Sequence, residues 1–98
     1  MMSILNIKTT LRISTNNTAF DSEIADLIAS ARADLMLAGI LPAKANDDTD
    51  PLIKRAITVY VKAHFGWNNP DAEKLQQSYA MIKGHLALSQ EYTKEAVG

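Results

Sequence analysis

The residues best equipped for chemistry in this chain are two histidines and a short acidic run. His64 and His85 have no metal-ligating partner at the four-residue spacing of helical zinc sites, and the chain has no cysteine. If Asn46, Asp48 and Asp50 are taken as the first three ligands of a calcium loop, Pro51 stands where the loop requires glycine. We therefore expect no metal site, and the run is better explained as a linker ending in a helix cap.

Catalytic arrangements are also poorly supported. No serine is flanked by the glycines of a nucleophile elbow, and the four glycines are isolated, so the chain has no glycine-rich phosphate loop. Most acidic residues fall at predicted helix starts, where capping and the helix dipole explain them. We predict that the protein is not an enzyme, carries no catalytic residue and needs no cofactor.

Length and composition describe one small domain. The chain has 98 residues, of which 47% are hydrophobic, and 10 basic side chains nearly balance 11 acidic ones. Residues 1–50 carry four basic and seven acidic groups, whereas residues 51–98 carry six and four, which suits head-to-tail contact between copies. We find no signal peptide and no apolar run near the ~20 residues of a membrane span, so we expect a cytoplasmic protein without membrane contact.

Helical periodicity in four stretches, with no sustained alternation, predicts an all-α fold. The first helix covers roughly residues 4–13. The second begins near Thr18, which has capping-box spacing to an acidic residue, and it stops at Gly39. Pro42 is expected to prevent the helix from resuming, which leaves a linker over residues 40–49.

The last two helices begin with strong start signals. Asp50 followed by proline starts the third, which runs to about Phe65 and is apolar nearly all round at residues 56–61. We therefore expect it to be central. The fourth starts at Asn69, fades near Leu88 and should pack on the third through an apolar seam. The seam consists of Ala72, Leu75, Tyr79, Ile82 and Leu86.

The predicted architecture is one domain over residues 1–98, a small bundle of about four helices with a flexible polar tail at residues 89–98. Trp67 follows the glycine that ends the third helix, and a tryptophan at such a corner either anchors an interface or closes the core. We take one corner residue, one residue of the third helix and three tail residues as candidate protein-interaction residues. They are Trp67, Arg55, Glu91, Tyr92 and Lys94.

Two stretches carry a family resemblance. Residues 7–13 followed by residues 20–31 read as a short helix ending in Leu-Arg-Ile, a small loop and an acidic start to a long helix. Residues 50–61 with Phe65 and Gly66 form the apolar third helix. In this order and spacing they resemble the head–tail connector family of long-tailed bacteriophages, also called adaptor or head-completion proteins. The resemblance spans most of residues 4–88.

The resemblance implies a structural role in virion assembly. Such proteins form a ring, a dodecamer on the portal protein, beneath the portal vertex of the filled capsid. The ring extends the channel through which packaged DNA passes without sequence-specific binding, and it docks the next head-completion or tail protein. This implies a location at the head–tail junction, and in the host cytoplasm during assembly, for a free phage or a prophage. The tail at residues 89–98 would be an arm that orders on the portal.

Two other functions remain open at this stage. One is a generic helical protein-interaction module, such as a small regulatory subunit. The other is a small DNA-binding regulator, because Lys54, Arg55 and Lys62 lie on one predicted helix. That helix is the most apolar of the four, and therefore the least free to enter a DNA groove. Portal or terminase genes beside this one would favour the connector, and salt-dependent DNA binding would favour the regulator.

Overall fold

A computed structural model describes residues 7–8, 19–66 and 69–93, and within them it contains helices and no strand. In chain order the helices are α1 (Asp21–Leu37), α2 (Pro42–Ala45), α3 (Pro51–His64), α4 (Ala72–Leu88) and α5 (Gln90–Thr93). Ile7 and Lys8 are also helical, and the remainder of the predicted first helix lies outside the described residues. The predicted all-α small bundle is confirmed.

Helix α1 begins later than predicted and ends where predicted. Phe20 occupies the N-cap position without a side-chain cap hydrogen bond, and the predicted cap residue, Thr18, lies outside the described residues. At the other end Gly39 has a φ of +103°. The N–H of Gly39 donates to the carbonyl of Met36 at 3.0 Å, and that of Ile40 donates to Leu35 at 3.1 Å. These two bonds form a Schellman motif, so the glycine stop is confirmed.

The segment predicted as a linker contains α2. The expectation that Pro42 blocks a helix was wrong, because Pro42 stands at the first helical position, where its missing N–H needs no partner. Arg32 of α1 ties this segment to the bundle. Its guanidinium donates to the carbonyl of Ala45 at 2.8 Å and pairs with the carboxylate of Asp48.

Helix α3 has the predicted cap and the predicted central position. The Asp50 carboxylate accepts from the N–H groups of Leu52 at 2.9 Å and Ile53 at 3.2 Å. None of residues 56–61 is exposed, and α3 packs against both α1 and α4. Its buried side chains form one core cluster with those of the other helices. The fully buried large residues of that cluster are Ile7, Ile24, Leu35, Ile40, Ile53, Ile57, Val61 and Leu86.

Helix α4 packs through the predicted seam but begins at Ala72, after the predicted start at Asn69. The Asn69 side chain instead accepts from the N–H of Asp71 at 3.0 Å and donates to the carbonyl of Lys62 at 2.6 Å. These bonds fasten the turn to the last turn of α3. In the seam, the rings of Tyr79 and Tyr60 meet edge to face at a centroid distance of 5.0 Å.

Contacts at the helix ends establish the directions of the helices. Phe20, just before α1, meets Phe65, just after α3, at a ring-centroid distance of 5.3 Å, so these two helices are antiparallel. The short turn held by Asn69 makes α3 and α4 antiparallel as well. Helices α1 and α4 therefore run in the same direction. Both finish near α5, at what we call the α5 end of the bundle, where α3 begins.

The predicted free tail starts too early. Residues 90–93 form α5, and Tyr92 is only 5% exposed. The N–H of Leu41 donates to the carbonyl of Tyr92 at 2.9 Å, which holds α5 against the segment after α1. The prediction failed because one aromatic residue in a polar stretch gives no periodic signal. Residues 94–98 lie outside the described residues.

Candidate functional site

The predicted interaction residues lie in different surroundings. Arg55 is exposed on α3 and Glu91 is exposed on α5, both toward the α5 end. Tyr92 is buried, so it belongs to the core and not to a free surface. Trp67 and Lys94 lie outside the described residues. The structure therefore leaves Arg55 and Glu91 as accessible members of the predicted set.

Tyr92 anchors α5 to the start of α3. Its hydroxyl donates to Oδ2 of Asp50 at 2.8 Å, while Oδ1 of the same carboxylate caps α3. The ammonium of Lys44 lies over the ring, 5.9 Å from its centroid. Burial, with the hydrogen bond to Asp50, raises the pKa of Tyr92 to about 12. The phenol therefore stays protonated and donating at neutral pH.

A second polar cluster joins α1 to α4 directly. The Asp34 carboxylate accepts from the Tyr79 hydroxyl at 2.6 Å and from the Lys83 ammonium at 3.1 Å. Burial acts to raise the pKa of Asp34, but these two donors outweigh it and hold the pKa below its ordinary value. Burial and the same carboxylate raise the pKa of Tyr79. The cluster fixes the relative position of two helices that have no long apolar contact.

Lys8 is the buried charged residue of the core. Its side chain is 1% exposed, and its ammonium lies 2.9 Å from Oδ1 of Asp21 at the start of α1. A buried ammonium is costly without such a partner. This ion pair connects the segment at residues 7–8 to α1, and its partner explains its burial without a ligand.

Large apolar side chains are exposed at the α5 end. Leu37 at the end of α1 and Leu88 at the end of α4 are 87% and 88% exposed. Met36 and Leu52, which starts α3, are also exposed. Large apolar side chains that remain exposed in the folded chain are candidates for contact with another protein. Sequence reasoning missed them because none belongs to the predicted buried stripes, and an isolated apolar residue at a helix end gives no periodic signal.

Comparison with known proteins gives one match. The family model described as phage connector protein matches residues 4–93. The chain belongs to this family. No curated protein and no solved structure matches the chain. The connector is thus a structural protein of a phage, and its family is not an enzyme family.

The remaining observations on the connector concern metals and membranes. Within residues 7–8, 19–66 and 69–93, no three histidine or acidic side chains are grouped as metal ligands. None of the helices described above has the length and apolar character needed to cross a bilayer.

Proposed function

We propose that this connector forms a ring on the portal protein at the head–tail junction of the virion. The ring extends the DNA channel and presents a surface to the next head-completion or tail protein. The observation that carries the proposal is the family match over residues 4–93. The packaged DNA passes through the ring without sequence-specific binding. During assembly the protein is in the host cytoplasm, encoded by a free phage or a prophage.

The exposed apolar side chains at the α5 end support docking there. Met36 and Leu52 are exposed at the same end as Arg55 and Glu91. An apolar patch with charged residues nearby has the composition of a protein interface. We propose that this end meets the portal protein, with Lys94 as a further contact residue. Gly66, the residue before Trp67, lies at the opposite end of the bundle, so we propose Trp67 as a contact for the next head-completion or tail protein. Because residues 90–93 form a helix of the fold, we propose a docking arm limited to residues 94–98 instead of 89–98.

Self-association of the free protein should be weak. A protomer of 98 residues offers each neighbour a limited contact area. The interaction free energy of a small contact barely exceeds the association cost of several kcal/mol. A portal ring holds neighbours at high effective concentration, so weak lateral contacts then suffice to close a ring. We expect a monomer or weak oligomer in isolation and a dodecamer on the portal.

Sedimentation and negative-stain microscopy of the connector, alone and with its portal protein, test the proposal. We expect slow-sedimenting free protein and a discrete larger complex with portal. Two variants map the docking end: Met36→Ser with Leu52→Ser, and a chain ending after Thr93. A matched control is Ala80→Ser, at an exposed position of α4 away from that end. A stable dimer that ignores portal would rule out the proposed function.

A further inference from the structure

The outer side of α4 carries five exposed residues at heptad spacing. We call this set the α4 stripe, and it consists of Lys74, Gln77, Met81, Gly84 and Leu88. It lies opposite the residues of α4 that pack on α3. Met81 and Leu88 are 66% and 88% exposed. Positions three and four apart form the contact line of a helix that pairs with another helix, yet none of the helices α1 to α5 covers this line.

Gly84 of this stripe is not required by any feature of the described part of the protomer. It lies inside a 17-residue helix, and its φ is not in the positive range that requires glycine. A Cβ added there would meet nothing within 4 Å. Glycine weakens a helix interior relative to alanine, so an internal reason for it is missing. A close approach by the backbone of another helix is a reason that glycine serves.

The outer side of α1 carries a matching set. The α1 stripe consists of Glu23, Asp26, Ser30, Ala33 and Leu37, which are all exposed. Its members have the same spacing as the α4 stripe, and both stripes extend over about 21 Å. The charged residues lie at the start of each helix and the leucine at its end. The charges are acidic on α1 and basic on α4.

We propose that the α4 stripe of one copy packs on the α1 stripe of the next, and that this heterologous contact is the lateral interface of the ring. The inference rests on the proposed function and names the surfaces that build the ring. Because α1 and α4 run in the same direction in the protomer, a rotation between copies keeps them nearly parallel. Asp34 bonds Tyr79 and Lys83 within the protomer, so this register requires helices inclined to the rotation axis, which shifts neighbouring copies by about one helical turn. The occupant of each stripe is therefore a second copy of this chain.

Placing the two stripes side by side in parallel pairs their members level by level. Lys74 meets Glu23, and Gln77 meets Asp26. Among the described residues of the protomer, these charged side chains have no ion-pair partner of their own. Opposite charges at one end specify the direction of the contact.

The C-terminal levels are complementary in size. The long side chain of Met81 meets Ser30, and Gly84 meets Ala33, where two small residues allow the helices to approach closely. Leu88 meets Leu37, which covers the two most exposed leucines of the described chain. A parallel α4–α4 contact would instead place Lys74 against Lys74, and an antiparallel one would place Lys74 against Leu88. Neither arrangement has a small residue opposite Met81.

Disulfide trapping tests the interface, because the natural chain has no cysteine that could interfere. The variant with Ser30→Cys and Met81→Cys together should form a ladder of covalent oligomers under mild oxidation at high protein concentration. Each single variant should give no dimer, and a mixture of the two single variants should give dimers only. A matched control pairs Ser30→Cys with Gln76→Cys, which is exposed on α4 outside the stripe, and should give no ladder.

The outcomes separate the interface from the proposed function. Dimers of the Met81→Cys variant alone would show an α4–α4 contact and overturn the inference. Absence of the ladder while the natural chain still assembles with portal would also overturn it, and the proposed ring function would stand. If the natural chain neither associates at high concentration nor binds portal, the proposed function itself fails. Circular dichroism of every variant confirms that the helices are retained.

Discussion

Asp34 is the residue of α1 that accepts the hydrogen bonds from α4. Its carboxylate receives hydrogen bonds from Tyr79 and Lys83 of α4, and it belongs to α1. Since the pKa of Asp34 is lowered in the folded protein, the charged carboxylate is favoured by folding. The stability it contributes is present above its ordinary pKa of 3.8 and is lost as the pH falls through the lower folded value. The contact between α1 and α4 is therefore sensitive to acid.

Replacing Tyr79 with phenylalanine tests this contact. Tyr79→Phe removes a donor to a charged acceptor while keeping the ring that meets Tyr60, so we expect a loss of about 1–2 kcal/mol at pH 7. The loss should shrink at pH 2–3, where protonation has already weakened the contact in the natural protein. Urea unfolding at both pH values measures it. An equal loss of stability at both pH values would show that the hydrogen bond to the Asp34 carboxylate is not the source of the loss.

Gly84→Ala should change stability and assembly in opposite directions. The added Cβ has free space in the protomer, so helix propensity should raise the free energy of unfolding by about 0.5–1 kcal/mol. The same methyl group obstructs the proposed approach of a neighbouring helix and should lower the oligomer fraction. Urea unfolding and sedimentation velocity measure the two effects. Ala80→Gly provides the reverse control, with reduced stability and unchanged association.

At the scale of the helices, the seam of α4 divides into buried and half-buried members. Leu86 is 2% exposed, whereas Ile82 is only partly buried. Leu86→Ala should therefore cost about 2–5 kcal/mol, and Ile82→Ala should cost less, near the lower limit of that range. Thermal or urea unfolding of the pair measures the difference. Equal losses at the two positions would mean that α4 is rotated from the orientation described.

Truncation separates the fold from the residues beyond it. A chain ending after Thr93 keeps every described contact of α5 and should unfold like the full chain. A chain ending after Leu88 loses Tyr92, its hydrogen bond to Asp50 and the acceptor of the Leu41 amide. We expect a stability loss of about 2–4 kcal/mol, comparable with truncating a large buried side chain. Identical unfolding curves for the two truncations would show α5 to be dispensable.

Local chemistry explains which element boundaries were predictable. The cap at Asp50 and the stops at Gly39 and Gly66 depend on one residue and its neighbours, and all three are where the sequence indicated. The starts of α1 and α4 have no side-chain cap hydrogen bond, and both were predicted a few residues early. Helix α5 depends on a contact between residues 42 positions apart, which no local pattern reports.

The outer stripes were missed for a similar reason. The search for periodicity looked for apolar residues, but each stripe combines charged, small and apolar side chains at the same spacing. Only the exposure of all ten residues makes the pattern visible. Of the five predicted interaction residues, Tyr92 was misplaced because a single aromatic residue among polar ones indicates neither burial nor exposure. Arg55 and Glu91 are accessible, as a docking role requires.

At the scale of the whole molecule, the acidic first half and the basic second half should attract each other between neighbouring copies. Lys74→Glu should place like charges against Glu23 and Asp26 of a neighbour and reduce association several-fold. Adding Glu23→Lys and Asp26→Lys to the same chain should restore it. Sedimentation velocity measures both, and salt should weaken the natural protein more than the Lys74→Glu variant. No effect of either change would place the ring contact elsewhere. Lys54→Glu, which changes a charge at an exposed position of α3, is the control.

The amide of Leu41 offers a spectroscopic reporter at one atom. Its only backbone acceptor among the described residues is the carbonyl of Tyr92, so its proton is protected from solvent only while α5 is in place. Hydrogen–deuterium exchange at this one site therefore measures how often the chain end detaches, separately from global unfolding. Comparing its exchange rate with that of the Ile24 amide, inside α1, would show whether detachment is a local opening. A partner that binds the α5 end and holds α5 in place would then slow the exchange of the Leu41 amide proton without contacting it.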